Sequence, residues 1–102
     1  MKVAVFSTKA YDREYLDKLN NNIQQLTYFK AALNAGTTNL SIGFDAVCVF
    51  VNDTVDKAVI EKLAANGIKI IALRCAGFNN VDIAAAAANN IKVVRVPAYS
   101  PQ

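Results

Sequence analysis

Histidine is absent from this chain of 102 residues, and cysteine, glycine and proline are scarce, with two, four and two copies. Without histidine no zinc pattern can be completed, so no metal site is expected, and no imidazole can serve as a general acid-base group. The two cysteines, Cys48 and Cys75, lie far apart. Cys48, inside the apolar run 46–51, reads as a small buried hydrophobe, and Cys75 beside Arg74 has no neighbouring base to make it a nucleophile. The few glycines form neither GxGxxG nor GxxxxGK[ST], which excludes a dinucleotide fingerprint and a P-loop. No apolar run approaches the roughly 18 to 20 residues of a bilayer span, and the opening MKVAVFSTK breaks at Ser7 and Thr8. Neither a signal peptide nor an anchor is expected, and the chain is placed in the cytoplasm with no membrane partner. The net charge of +3 arises from 11 basic and 8 acidic residues scattered along the chain, so the basic stripe that a nucleic-acid partner requires is missing.

What is present is an alternation of short β-branched runs with longer stretches of helical apolar spacing. The runs 2–7, 25–30, 46–51, 68–73 and 91–96 read as strands. The run 46–51 is continuously apolar, as a parallel strand covered on both faces should be. Tyr11, Tyr15, Leu16, Leu19 and Ile23 mark a first helix, and Thr37 or Thr38 with Gly43 would bound a short second one. Val55, Val59, Ile60 and Leu63 mark a third helix, capped by Asp53 or Thr54 and stopped at Gly67. Residues 80–90 form the last, where the alanines at 84–88 permit close approach to the sheet. Asparagines near the helix ends are suited to caps and left-handed turns. The sum is one α/β domain over residues 1–102, a flavodoxin-like doubly wound sheet of about five parallel strands in the order 2-1-3-4-5 with helices on both faces.

Function in such sheets is sought in the loops beyond the carboxyl ends of the strands. The loop STKAYD after the first strand has neither a glycine-rich cradle nor a hydroxyl-rich flavin loop, which disfavours FMN. A phosphoacceptor domain would need paired acids there and an aspartate closing the third strand. That strand runs FVND, with Asp53 assigned to capping. The loop after the fourth strand, residues 74–82, is richer in backbone donors: Gly77 at a strand-to-helix turn would expose N–H groups near a helix dipole, where a carboxylate could bind. Equally, Gly77 could merely make the turn and Asn79 or Asn80 cap the helix.

The segment IALRCAGFNNVD, followed after a helix by KVVRVPAYSP, resembles the paired signature of D-2-hydroxyacid dehydrogenases, with the fermentative D-lactate branch as the nearest match. The opening KVAVFSTKAYD and the strand AVCVFVND fit that branch in order and spacing, leaving only residues 20–44 unremarkable. The resemblance implies that main-chain N–H groups of Cys75, Ala76 and Gly77 receive the carboxylate of a small 2-oxo or 2-hydroxy acid, while Phe50 and Tyr99 help line the pocket. Tyr99 lies in a segment stiffened by Pro97 and Pro101. Phe50 supplies bulk without a hydroxyl and could instead be core filler at a strand end. The family's Arg, Glu and His, and its NAD site, come from a nucleotide-binding domain further along. The chain is therefore expected to stop short of the catalytic residues, to hold no cofactor and to be inactive alone. Arg74 is assigned a helix-end or loop ion pair. Apolar surface normally covered in full-length members is expected to drive self-association. The competing expectation is a standalone or engineered flavodoxin-like scaffold with no ligand.

Overall fold

The computed structural model describes residues 1–20, 24–74 and 80–95, with main chain only at 11, 12, 15, 19 and 20. Within them run β1 (Lys2–Val5), α1 (Ala10–Asn20), β2 (Gln25–Tyr28), a 3-10 turn (Thr38–Ser41), β3 (Ala46–Val49), α2 (Lys57–Ala65), β4 (Ile70–Leu73), α3 (Ile83–Ala88) and β5 (Lys92–Arg95). The strands form one parallel sheet in the order β2-β1-β3-β4-β5, as the sequence led us to expect. Each observed strand is shorter than its apolar run. Some flanking residues still bond to a neighbouring strand, as Phe6 N does to Cys48 O at 2.9 Å and Phe29 N to Val5 O at 2.7 Å.

Strand periodicity sorts the apolar residues onto two faces. Ala4, Phe6, Val47, Val49, Ile71 and Leu73 point to one face and pack with Val59, Ile60 and Leu63 of α2 and with Ala85 and Ala86 of α3. Val5 and Cys48 point to the other and meet Leu16 of α1, with Val3, Leu26, Tyr28 and Ala72 around them. All four residues of β3 are buried, which makes it the central strand. At 25 cal/mol per Å², roughly 1.5–3 kcal/mol is gained for each large aliphatic side chain removed from water on these faces.

The helix ends differ from expectation in an instructive way. Neither Asp53 nor Thr54 caps α2; Asp56 does, accepting from Val59 N at 3.0 Å. Nor does Asn80 cap α3; Asp82 does, accepting from Ala85 N at 3.0 Å, while Asn79 lies outside the described residues. Both caps follow a valine, and the two valines are joined: Val55 and Val81 make an isolated parallel bridge. Val55 N donates to Asn80 O at 3.0 Å and Asp82 N to Val55 O at 2.9 Å. This extra rung holds the chain extended for two residues past each anticipated start, so both helices begin later. The C-terminal stops are where the sequence put them. Gly67 has φ 89° and Ile68 N closes onto Leu63 O at 3.0 Å, while Asn90 has φ 59° and Ile91 N closes onto Ala86 O at 2.9 Å.

Candidate functional site at the carboxyl edge of the sheet

The loops leaving β1, β2 and β3 are tied together by one carboxylate. Asp53 is 2% exposed. Its Oδ1 accepts from Ser7 Oγ at 2.6 Å and from Leu33 N at 2.7 Å, and its Oδ2 from Phe50 N at 2.7 Å. Charge-assisted bonds of this kind are about twice as strong as neutral ones, and they leave little room for any of the three loops to shift. Ser7 takes a positive φ of 52° to reach its partner. Asn80, arriving from β4, adds a fourth strand of the knot by donating from Nδ2 to Phe50 O at 2.8 Å and to Asp53 O at 3.1 Å.

Phe50, first residue after β3, is half-buried at this edge. Its main chain is fixed by Asp53 and Asn80, and the guanidinium carbon of Arg74 lies 5.4 Å from its ring centroid. Such cation-π contacts contribute about 0.5–2 kcal/mol according to their exposure. Arg74, first residue after β4, is 1% exposed, its amide donates to Val49 O at 2.9 Å, and its Nη2 donates to Phe6 O. A long cation thus bridges the ends of β1, β3 and β4 from inside the fold, a deeper position than the loop role assigned to it. Nothing in the sequence hints at this beyond an arginine directly following an apolar strand. Asp53 differs from expectation for a definite reason: an acid after a strand resembles a cap, and only the bridge between the valines shows that the helix starts later.

Of the anticipated substrate-pocket residues, Phe50 is placed at the mouth of β3, beside Arg74, the residue that follows β4. Cys75, Ala76, Gly77 and Tyr99 lie outside the described residues. Among the described residues no cluster of three or more His, Cys, Asp or Glu side chains is arranged for a metal ion. The loop after β1 does not fit a dinucleotide. It carries no glycine, and the amides that would face a pyrophosphate are engaged, Ser7 N by Ala31 O at 2.9 Å and Thr8 N by Phe29 O at 3.0 Å.

The family model for the catalytic domain of D-isomer specific 2-hydroxyacid dehydrogenases matches residues 3–102. A 2-hydroxyacid dehydrogenase homolog of Haemophilus influenzae is 53% identical over 103 residues, which take in 100% of this chain and 31% of the relative. The apo-structure of D-lactate dehydrogenase from Escherichia coli superposes with a TM-score of 0.92 at 51% identity, covering 99% of this chain and 32% of that one. D-lactate dehydrogenase from Lactobacillus jensenii, solved with NAD+, superposes with a TM-score of 0.81 at 32% identity, covering 99% of this chain and 31% of that one. The chain thus spans about a third of the length of the proteins it matches.

Proposed function

The chain belongs to the D-isomer specific 2-hydroxyacid dehydrogenases, and we propose that it supplies the substrate-facing half of a D-lactate dehydrogenase, holding the carboxylate of pyruvate or D-lactate during hydride transfer. The observation that carries this reading is the meeting of Phe50 and Arg74 at the carboxyl ends of β3 and β4. It fixes an aromatic wall and the stem of the β4 loop immediately before residues 75–77, whose amides are the proposed carboxylate donors. Tyr99 is proposed as a second aromatic wall. The end of β3 is held by Asp53 and Asn80, and that of β4 by the bond from the Arg74 amide to Val49 O, so the wall is set before any substrate arrives, which lowers the ordering cost of binding.

No catalytic acid, base or cofactor site is assigned to these residues. The loop after β1 is closed to a dinucleotide, and we place NAD, together with the proton-transferring group, on sequence of the whole protein other than these residues. A cytoplasmic location is proposed as part of the same reading. Two or three hydrogen bonds to a charged carboxylate contribute about 1.5–3 kcal/mol each before desolvation and ordering are subtracted, and millimolar binding needs about 4 kcal/mol net. The chain alone should therefore bind pyruvate more weakly than about a few millimolar and turn nothing over. The alternative of a ligand-free scaffold gains no support from the comparisons.

The test is a steady-state assay of the whole polypeptide with NADH and a series of 2-oxo acids. Pyruvate reduction is expected, and Phe50→Ala should raise KM more than it lowers kcat, because the ring contacts substrate in ground and transition states alike. A whole protein that reduces no 2-oxo acid would overturn the proposal.

A further inference from the structure

At the amino edge of the sheet, where α2 hands over to β4, the chain carries a chemically labile pair. Of the four glycines, preceded in turn by Ala35, Ile42, Asn66 and Ala76, only Gly67 follows an asparagine. An asparagine side chain is open to attack at Cγ by the next main-chain nitrogen. Glycine, with no Cβ, leaves that approach unhindered and the backbone free to turn into it. Gly67 is exposed and borders an open cleft of about 240 Å³, so water has access to it.

The same pair fastens α2 to the 3-10 turn. Asn66 is the C-cap of α2, with φ −83° and ψ 0°. Its Nδ2 donates to Thr38 O at 3.0 Å and to Ser41 Oγ at 3.1 Å, and both of these residues are buried. The carboxamide is therefore held on the turn by both of its protons. The nitrogen that would attack it is engaged as well: Gly67 N donates to Ala64 O at 3.0 Å, and Ile68 N closes onto Leu63 O at 3.0 Å. Attack requires Gly67 N to give up its proton and move onto Cγ, against the negative end of α2, which opposes an anion forming there. The reaction thus belongs to an opened state in which the end of α2 has left the turn.

We propose that Asn66–Gly67 is a deamidation site gated by this fastening, and that its modification prevents the turn from being refastened. In the opened chain the bond from Gly67 N to Cγ forms and the Cγ–Nδ2 bond breaks, ammonia leaving with the Gly67 proton, to give a cyclic imide. Water then adds to one of the two imide carbonyls and opens the ring, leaving aspartate or isoaspartate at position 66. The net change is uptake of one water and loss of one ammonia, with no oxidant or reductant. Aspartate puts a carboxylate where two donors stood. It faces Thr38 O, which already accepts from Ser41 Oγ at 2.6 Å, and it sits at the negative end of α2. Isoaspartate adds a methylene to the main chain and displaces the closure of Ile68 onto Leu63. Neither product restores the two donated bonds, so every opening that reacts leaves a permanent mark. The site is independent of the substrate role proposed for the β4 loop at the opposite edge.

The experiment follows residue 66 by peptide mapping with mass spectrometry during incubation at mildly alkaline pH, for the folded chain and for the chain in urea. In urea, Asn66 is expected to react before any other asparagine, at a rate about tenfold or more above that of the folded chain, since only the open fraction reacts. Ser41→Ala removes one acceptor of the carboxamide, and should speed conversion of the folded chain while leaving the rate in urea unchanged. Asn66→Asp stands for the product, and should raise hydrogen exchange at Leu40, Ile42 and Ile68, whose amides close the turn and the end of α2. The comparison of folded and unfolded wild type needs no variant, so it decides the matter even where a variant does not fold. Equal rates in the two states, another asparagine reacting first, a folded Ser41→Ala rate no faster than wild type, or unchanged exchange in Asn66→Asp would each overturn the proposal.

Discussion

At the residue scale the account turns on buried groups that hold loops. Asp53→Ala removes the acceptor from Ser7 Oγ and from the amides of Leu33 and Phe50. Each buried donor left unpaired costs about 1–3 kcal/mol, so a loss of roughly 3 kcal/mol or more is expected in urea unfolding. Asp53→Asn keeps one carbonyl oxygen and should lose less. Equal, small losses for both would show that the knot is not what holds the loops. Tyr28 gives a pH prediction. Its partial burial, then the Asp17 hydrogen bond and charge, push the phenol far above its usual value, against a smaller opposing pull from Arg13. The folded value is raised above the unfolded one, so the contribution to stability is complete below the ordinary phenol range of about 10 and is lost as pH climbs beyond it. A phenolate absorbance titration should contain a late-ionising step from Tyr28, and Tyr28→Phe should remove it. Little of this was legible beforehand. Asp53 and Arg74 stand in the sequence as an acid and a base beside strands, and their work depends on partners 20 or more residues away: Leu33 and Ser7 for one, Phe6 for the other.

At the element scale the sequence was more informative, because strands and helix stops are local matters. The runs around Val3, Leu26, Val47, Ile71 and Val93 all became strands, and Gly43 and Gly67 took the positive φ their positions required. The helix starts were displaced because Val55 and Val81 pair across the sheet edge, a contact of 26 positions that no local pattern reveals. The repeated Val-Asp dipeptide was the available signal. Replacing Asp56 or Asp82 by Ala should cost about 1 kcal/mol each. The effect on local order should be larger at Asp82, since α3 has only six residues to propagate from its first turn. Hydrogen exchange at Ala85 and Ala86 would read it, and protection unchanged in Asp82→Ala would contradict the assignment of the cap.

At the scale of the whole molecule, the sheet is covered unevenly. The face under α2 and α3 is closed over Ile71 and Leu73, whereas on the α1 face Ala72 is only partly buried and its ladder neighbour Val94 is 44% exposed. Ile42 and Val51, at 63% and 57%, add apolar surface elsewhere. We propose that these surfaces make the chain self-associate, and sedimentation at rising concentration should show species larger than a monomer; a monomer throughout would count against it. The fold and its strand order were readable because alternating β-branched runs and helical spacing leave few topologies open. The family was readable from the segments around Arg74 and Pro97, whereas the pocket itself was readable only through that resemblance, since backbone donors leave no side-chain signature. Its direct test is an amide-resolved NMR titration of the chain with oxamate, an unreactive analogue of pyruvate, at concentrations up to tens of millimolar. Small, unsaturated shifts confined to Phe50, Arg74 and residues 75–77 are the result our reading requires. Shifts that gather away from the β4 loop, or none there in a well-dispersed spectrum, would contradict it.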